Sequence, residues 1–291
     1  MWFKDKFGMA DAKPVATAET AAPPHPDRAS TAEIMDWNVL METYGKGNST
    51  APPAPTVISA DDYIKFGTLY DRFAATRQLD DYDYVHGLRF RNTAVVFGAY
   101  LEKAQRVVEL GGHGRVGVFT EETFGAHYES YAQELRDRYD LKDASFDTVL
   151  CLEVIEHLKD TLASETNWDR ISSFNYSGVM NVFTEAFRIL QPGGMLLLTT
   201  PNATSADVIV KTLRGEHPHL FDPHVREMAP RQIKAFGERV GFVLEGMGTF
   251  FAWGTADDAL RAKVLTFIQD MGFDPGNRGD DAYFMFRKPS A

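Results

Sequence analysis

The chain holds a single cysteine, Cys151, in 291 residues, so it can form no internal disulfide. Its stability must come from an apolar core, which a chain of this length can supply. This usage suits a reducing compartment, and the cytoplasm is the expected location. No apolar run approaches the roughly 18–20 residues that cross a bilayer, which argues against a membrane span. The opening MWFKDKFGMADAKP has cations but no apolar stretch behind them, so it does not read as a secretory signal. Basic residues are also scarce: 30 Lys+Arg face 41 Asp+Glu, a formal net charge of −11. Sequence-independent nucleic-acid binding draws most of its affinity from Lys and Arg on phosphates, so the balance argues against that class, and no nucleic-acid partner is expected. A hydrophobic fraction of 44% with 24% charged residues is that of an ordinary globular domain. What remains is an enzyme or binding protein acting on something small, or on a non-phosphate polymer.

Residues 1–60 read as a Pro- and Ala-rich tail, too poor in apolar side chains to fold alone. Within it, 30–47 predicts one short amphipathic helix, with Ile34, Trp37, Leu40 and Met41 on one face. That helix has two destinations, the domain itself or a protein partner. Residues 61–105 predict two helices leading into the first strand, and 106–291 form the core. RVVELGG (106–112) is the first strand, HYESY a second, and FDTVLCLEVI (146–155) a buried strand running into a helix. SGVMNVFTEAFRIL (177–190) is an amphipathic helix stopped by Pro192-Gly193-Gly194, and MLLLTTP (195–201) is another strand. A helix at APRQIKAFGERVGF precedes two strands, GFVLEGMGTFFAWG and DAYFMFRKP, expected to close the edge antiparallel. Apolar strands alternating with helices imply an α/β fold: a doubly wound, mostly parallel sheet covered on both faces.

In such a sheet, ligands bind beyond the carboxyl ends of the strands. The first strand leaves through VVELGGHGRVG (107–117), where glycines admit close backbone approach and a helix start offers free N–H groups. Gly112, Gly114 and Gly117 match the dinucleotide pattern G-x-G-x-x-G, which supports an NAD(P)-dependent oxidoreductase as the alternative reading. Glu109, just ahead of the glycines, points elsewhere. A carboxylate there repels a pyrophosphate and suits a cationic ligand.

Three segments together resemble the class I S-adenosylmethionine-dependent methyltransferases: VVELGGHG (107–114), ELRDRYDLKDASFDTVLCLEVIEHL (134–158) and EAFRILQPGGMLLLTTPN (185–202). The resemblance implies a Rossmann-like core and S-adenosyl-L-methionine as cofactor, with Glu109, Gly111 and Gly114 at its methionine end. Glu134 would hold the adenine amino group and Leu135 would pack on the ring. The chain departs from the family in two respects. Few residues separate Gly114 from His127, so the core is shortened after the first strand, and the acid for the ribose hydroxyls has only Glu121, Glu122 and Glu129 as candidates. His113 also stands where the family prefers glycine.

CLEVIEHL (151–158) is similar to the E-x-x-E-H of ubiquinone-biosynthesis-type O-methyltransferases and small-RNA 2′-O-methyltransferases, which bind a divalent metal. That likeness implies Glu153, Glu156, His157 and His224 as ligands of Mg, Mn or Zn, a donor set that suits those ions. Without metal, His157 or His224 is the candidate general base. The front segment DDYDYVHGLRFRN (80–92) gathers Tyr82, Tyr84, His86, Arg89 and Arg91, read first as helix packing with solvated arginines and second as a seat for a sugar or a carboxylate; the resemblance implies that the helices of 61–105 form an N-terminal lid. The expected function is methyl transfer to a hydroxyl of a small molecule or glycan, and the non-enzymatic alternative is a methyltransferase-like binding protein.

Overall fold

The computed structural model describes residues 58–78, 80–160, 176–253 and 258–290. The chain divides into two units, Met1–Ser49 and Thr50–Ala291, and every described residue belongs to the second. The helix expected at 30–47 lies outside the described residues. So does the rest of the tail up to residue 57.

Two helices precede the sheet, as the pattern predicts, and both start where a side chain can accept a free amide. Helix α1 (Ala60–Ala75) is capped by Ser59, whose Oγ accepts from the Asp62 amide at 3.0 Å. Helix α2 (Asp81–Leu101) opens on a reciprocal box in which Asp80 and Asp83 each accept the other's backbone N–H. There follow β1 (Arg106–Leu110), α3 (Arg115–Phe124), β2 (His127–Tyr131), β3 (Phe146–Leu152), α4 (Ser177–Ile189) and β4 (Leu190–Pro201). The chain continues through α5 (Ala206–Leu213), α6 (Pro230–Val240), β5 (Val243–Phe250), α7 (Asp258–Asp270) and β6 (Asp281–Arg287).

The six strands lie in the order β2-β1-β3-β4-β6-β5. Pairing is parallel from β2 to β4, and β6 runs antiparallel to both of its neighbours. This is the expected Rossmann-like α/β sheet with an antiparallel C-terminal edge. The shortening falls after β2: helix α3 fits between β1 and β2, while 132–145 reach β3 without a helix or strand.

Side chains alternate between two apolar layers, as strands buried on both faces require. Val108, Val149, Leu198 and Phe284 face α4 and α6, whereas Val107, Leu150, Leu197 and Met285 face α1, α2 and α3. Each fully buried Leu or Phe contributes about 1.5–3 kcal/mol over its exposed state, so these layers hold the strand ends in place.

Two boundaries differ from the pattern. The segment after β3 makes only a 3-10 turn, Ile155–His157, because Glu153 takes a left-handed backbone (φ +55°) that interrupts regular structure. Helix α4 stops at Ile189 rather than at Pro192, since Leu190 already pairs with Phe146 across the sheet. Helices α5 and α7 have no counterpart in the sequence reading.

Candidate active site

The carboxyl ends of β1, β3 and β4 open on the same edge. At the end of β1 the backbone turns through Gly111 (φ +92°) and Gly112 (φ +126°), conformations that L side chains rarely adopt. A Cβ on Gly111 would lie 2.6 Å from Val154 Cγ2, so the glycine corner abuts the turn after β3. Helix α3 then starts at Gly114 with no side-chain cap. Glu109 is 5% exposed and lies under this corner. Its Oε2 accepts from the Tyr128 hydroxyl at 2.7 Å and from the Gly114 amide at 3.1 Å.

A Cβ on Gly114 would overlap Glu109, and one on Gly117 would overlap Tyr128 and crowd the same carboxylate. Two glycines of the dinucleotide pattern therefore make room for a buried acid and its tyrosine. That is the physical reason the oxidoreductase reading fails here: the pattern is satisfied by internal packing. Tyr128, which the sequence reading did not single out, has its hydroxyl pKa raised by burial and then by the Glu109 charge.

The residues expected at the adenine end are engaged elsewhere in this structure. Glu134 forms a two-pronged ion pair with Arg136 (2.9 and 2.8 Å), and that hydrogen bonding lowers its pKa to about 2. Leu135 is 5% exposed and belongs to the core layer with Val108 and Tyr139, so it offers no free face to a ring. Of the ribose candidates, Glu122 pairs with Arg77, and Glu129 with Arg106 and His127.

Beyond β3, one carboxylate and two imidazoles converge. Glu156, His157 and His224 each place a ligand atom within 4.8 Å of the others. Glu156 is fully buried; its Oε2 accepts from the Thr200 hydroxyl at 3.0 Å, and its Oε1 has no hydrogen-bond partner among the described residues but lies 3.8 Å from His157 Nε2. Its carbonyl accepts from the amides of Val225 and Arg226, which ties the segment carrying His224 to the turn. Burial first, and the Glu153 charge second, push the Glu156 carboxyl well above its ordinary range. His224 Nδ1 lies 2.7 Å from Oε1 of Glu227. Burial pushes Glu227 up, but His224 and the amides of Leu220 and Phe221 outweigh it and hold the carboxyl below the usual range. With Nδ1 so engaged, Nε2 of His224 is the nitrogen left for the cluster. This is the arrangement that orients metal-ligating histidines. Glu227 went unnoticed in the sequence because it sits in a stretch with no recognisable spacing.

Glu153, expected as a fourth ligand, is not part of the cluster. Its left-handed backbone turns the side chain toward α2, where Oε2 meets Arg89 at 3.2 Å. Arg89 is 6% exposed, donates to the Tyr82 hydroxyl at 3.0 Å, and lies over the rings of Phe90 and Trp253. His86 joins them, with ring centroids 4.1 Å from Tyr82 and 5.4 Å from Trp253. The front segment thus divides: Tyr82, His86 and Arg89 share the inner face of α2, Tyr84 is 86% exposed, and Arg91 pairs with Asp71. Asp281, the first residue of β6, is 1% exposed against the Glu153 carboxyl, and no N–H group among the described residues donates to either of its oxygens. Burial, reinforced by Glu153, raises its pKa well above normal.

The model of the methyltransferase domain family matches residues 83–245, more than half of the chain. The protein belongs to the S-adenosylmethionine-dependent methyltransferase family. A curated relative from Mycolicibacterium smegmatis, named a probable S-adenosylmethionine-dependent methyltransferase, is 31% identical over 142 residues. That match covers 46% of this chain and 46% of the relative, so the chain spans about half of that protein's length. Among solved structures, a SAM-dependent methyltransferase from Archaeoglobus fulgidus is similar at 15% identity and a TM-score of 0.47, covering 72% of this chain and all of that one. A second, from Thermotoga maritima and titled a possible histamine N-methyltransferase, aligns at 16% identity and a TM-score of 0.46, covering 79% of this chain and all of that one. Among the described residues, no helix is long and apolar enough to cross a membrane.

Proposed function

We propose that the protein transfers a methyl group from S-adenosylmethionine to a hydroxyl of a small molecule or glycan. The observation that carries this reading is the position of the Glu156–His157–His224 cluster beside the glycine corner. The corner fits the methionine end of the cofactor: Gly111 and Gly112 keep the backbone open, α3 offers uncapped amides, and Glu109 contributes a nearby negative charge. S-adenosylmethionine supplies an activated methyl on a sulfonium. The protein's remaining task is alignment of the acceptor for in-line displacement, with no covalent intermediate on the enzyme.

The acceptor hydroxyl must lose a proton, and the cluster offers two means. Its donor set fits a divalent metal: Glu156 has a bare, buried oxygen and His224 is oriented by Glu227. A divalent cation, when bound there, supplies Lewis acidity that lowers the pKa of a coordinated hydroxyl. In the metal-free form His157, the more exposed of the two imidazoles, receives the proton as general base.

Calorimetry with S-adenosylmethionine and with NADH tests the cofactor. Binding of NADH alone would sink the reading. Incubation with labelled cofactor and fractionated host extract then tests transfer. EDTA is expected to reduce activity and His224→Ala to mimic it; activity indifferent to both would leave no place for metal.

A further inference from the structure

We propose that Asp281 and Glu153 are the seat of a protonated amine on the acceptor, so that the substrate is an amino alcohol or amino sugar. This rests on the methyl-transfer reading and deepens it.

The first argument is charge balance. Three buried carboxyl groups, Glu153, Glu156 and Asp281, lie around one buried guanidinium, Arg89. Arg89 pairs with Glu153, and Glu156 is committed to Thr200 and to the imidazole cluster. Asp281 lies against the Glu153 carboxyl and within the field of Arg89, but no N–H group donates to either of its oxygens. A carboxylate taken out of water is costly to keep charged, and a cation seated between Asp281 and Glu153 would relieve that cost. The neighbouring Asp280 shows the contrast. It is buried to a similar degree, yet accepts from the amides of Ala252 and Trp253 and lies 3.8 Å from Arg261. Two adjacent aspartates leave the same strand end, and the fold satisfies only one.

The second argument is donor number. Asp281 Oδ1, Asp281 Oδ2 and Glu153 Oε1 are bare buried acceptors beside one another. A primary ammonium carries three N–H donors, whereas a neutral hydroxyl carries one. Tyr82, Phe90 and Trp253, packed around Arg89, exclude water and strengthen a charge–charge contact relative to solvent.

Position supplies the third. Neighbouring strands are about 4.8 Å apart, and β6 lies two strands from β3, so Asp281 is seated about 10 Å along the sheet edge from the end of β3. Glu153 reaches across that gap. The glycine corner lies one strand to the other side, so cofactor corner, imidazole cluster and amine seat follow one another along the edge. An acceptor with its hydroxyl at the cluster places a nearby amine on Glu153 and Asp281.

The test is thermal melting of the full chain titrated with ethanolamine, glucosamine and tyramine. Ethylene glycol, glucose and 4-(2-hydroxyethyl)phenol serve as matched neutral controls at constant ionic strength. At least one amine should give a saturable rise and its control none. Asp281→Asn, which removes the carboxyl charge while its amide can still donate to Glu153, should fold as well as the parent and bind that amine at least tenfold more weakly. Equal shifts from amines and controls, no amine shift at all, or an amine shift that survives Asp281→Asn would each overturn the proposal. Every titration is run with and without S-adenosylhomocysteine. If that compound alone gives no shift, the methyl-transfer reading fails, while the amine result still decides the seat.

Discussion

Two groups of carboxylates occupy the same edge of the sheet, and the fold treats them differently. At the β1 corner, Glu109 is held by a tyrosine hydroxyl and a backbone amide, and two glycines are shaped around it. At the β3–β4–β6 end, Glu156 keeps one bare oxygen and Asp281 two, although both are buried at least as deeply. A satisfied buried acid builds the backbone around it. A bare one is retained at a cost in stability, and such groups concentrate where ligands bind. The first region therefore sets the shape of the crevice, and the second supplies its chemistry.

The comparison breaks most visibly at Glu109. Glu109→Ala takes the acceptor from the Tyr128 hydroxyl and leaves the Gly114 amide with the Tyr128 oxygen alone, so urea unfolding should show a loss of about 1–3 kcal/mol, accompanied by lost cofactor binding. Unchanged stability would mean the corner does not depend on its acid. At the other end, His224→Ala should weaken divalent-metal affinity at least 100-fold while leaving the melting temperature within a few degrees; competition against a chelator measures it. Glu227→Gln should have a smaller effect, roughly 10-fold, because the imidazole stays but loses its orientation. An affinity equal to wild type would remove Glu227 from the site.

Asp280 sharpens the comparison through pH. Burial pushes it up to about 6 from 3.8. The folded state holds the proton more tightly than the unfolded chain, so this contribution to stability is complete below about pH 4 and is lost as pH rises through about 6. Asp280→Asn should shrink the fall in melting temperature between about pH 4.5 and about pH 7. An identical fall in both proteins would count against a raised Asp280. The smallest effect is expected at Tyr84, whose exposed ring should change stability by less than about 0.5 kcal/mol on replacement with Ser.

Much of this was legible in one dimension. Glycines after an apolar strand, acids near the strand ends and a helix before MLLLTTP are local patterns, and they identify the sheet and its cofactor edge. The E-x-x-E-H pattern brought Glu156 and His157 together, since consecutive residues stay near each other on any path. It failed for Glu153 because a single left-handed residue redirects a side chain, and no composition rule foretells that rotation. Leu135 and Glu134 were placed at the adenine end by the resemblance alone. Their actual neighbours, a core layer and Arg136, depend on how 132–145 cross from β2 to β3.

By itself the sequence determined the alternation of strands and helices, the glycine corner and the kinds of side chain at the strand ends, because periodicity and backbone freedom are properties of short segments. Tertiary structure alone decided which acids are satisfied and which are bare. Tyr128 reaches Glu109, Glu227 reaches His224, and Asp281 meets Glu153 across two strands only once the sheet is assembled. The cost of burying a charge is set by that assembled neighbourhood.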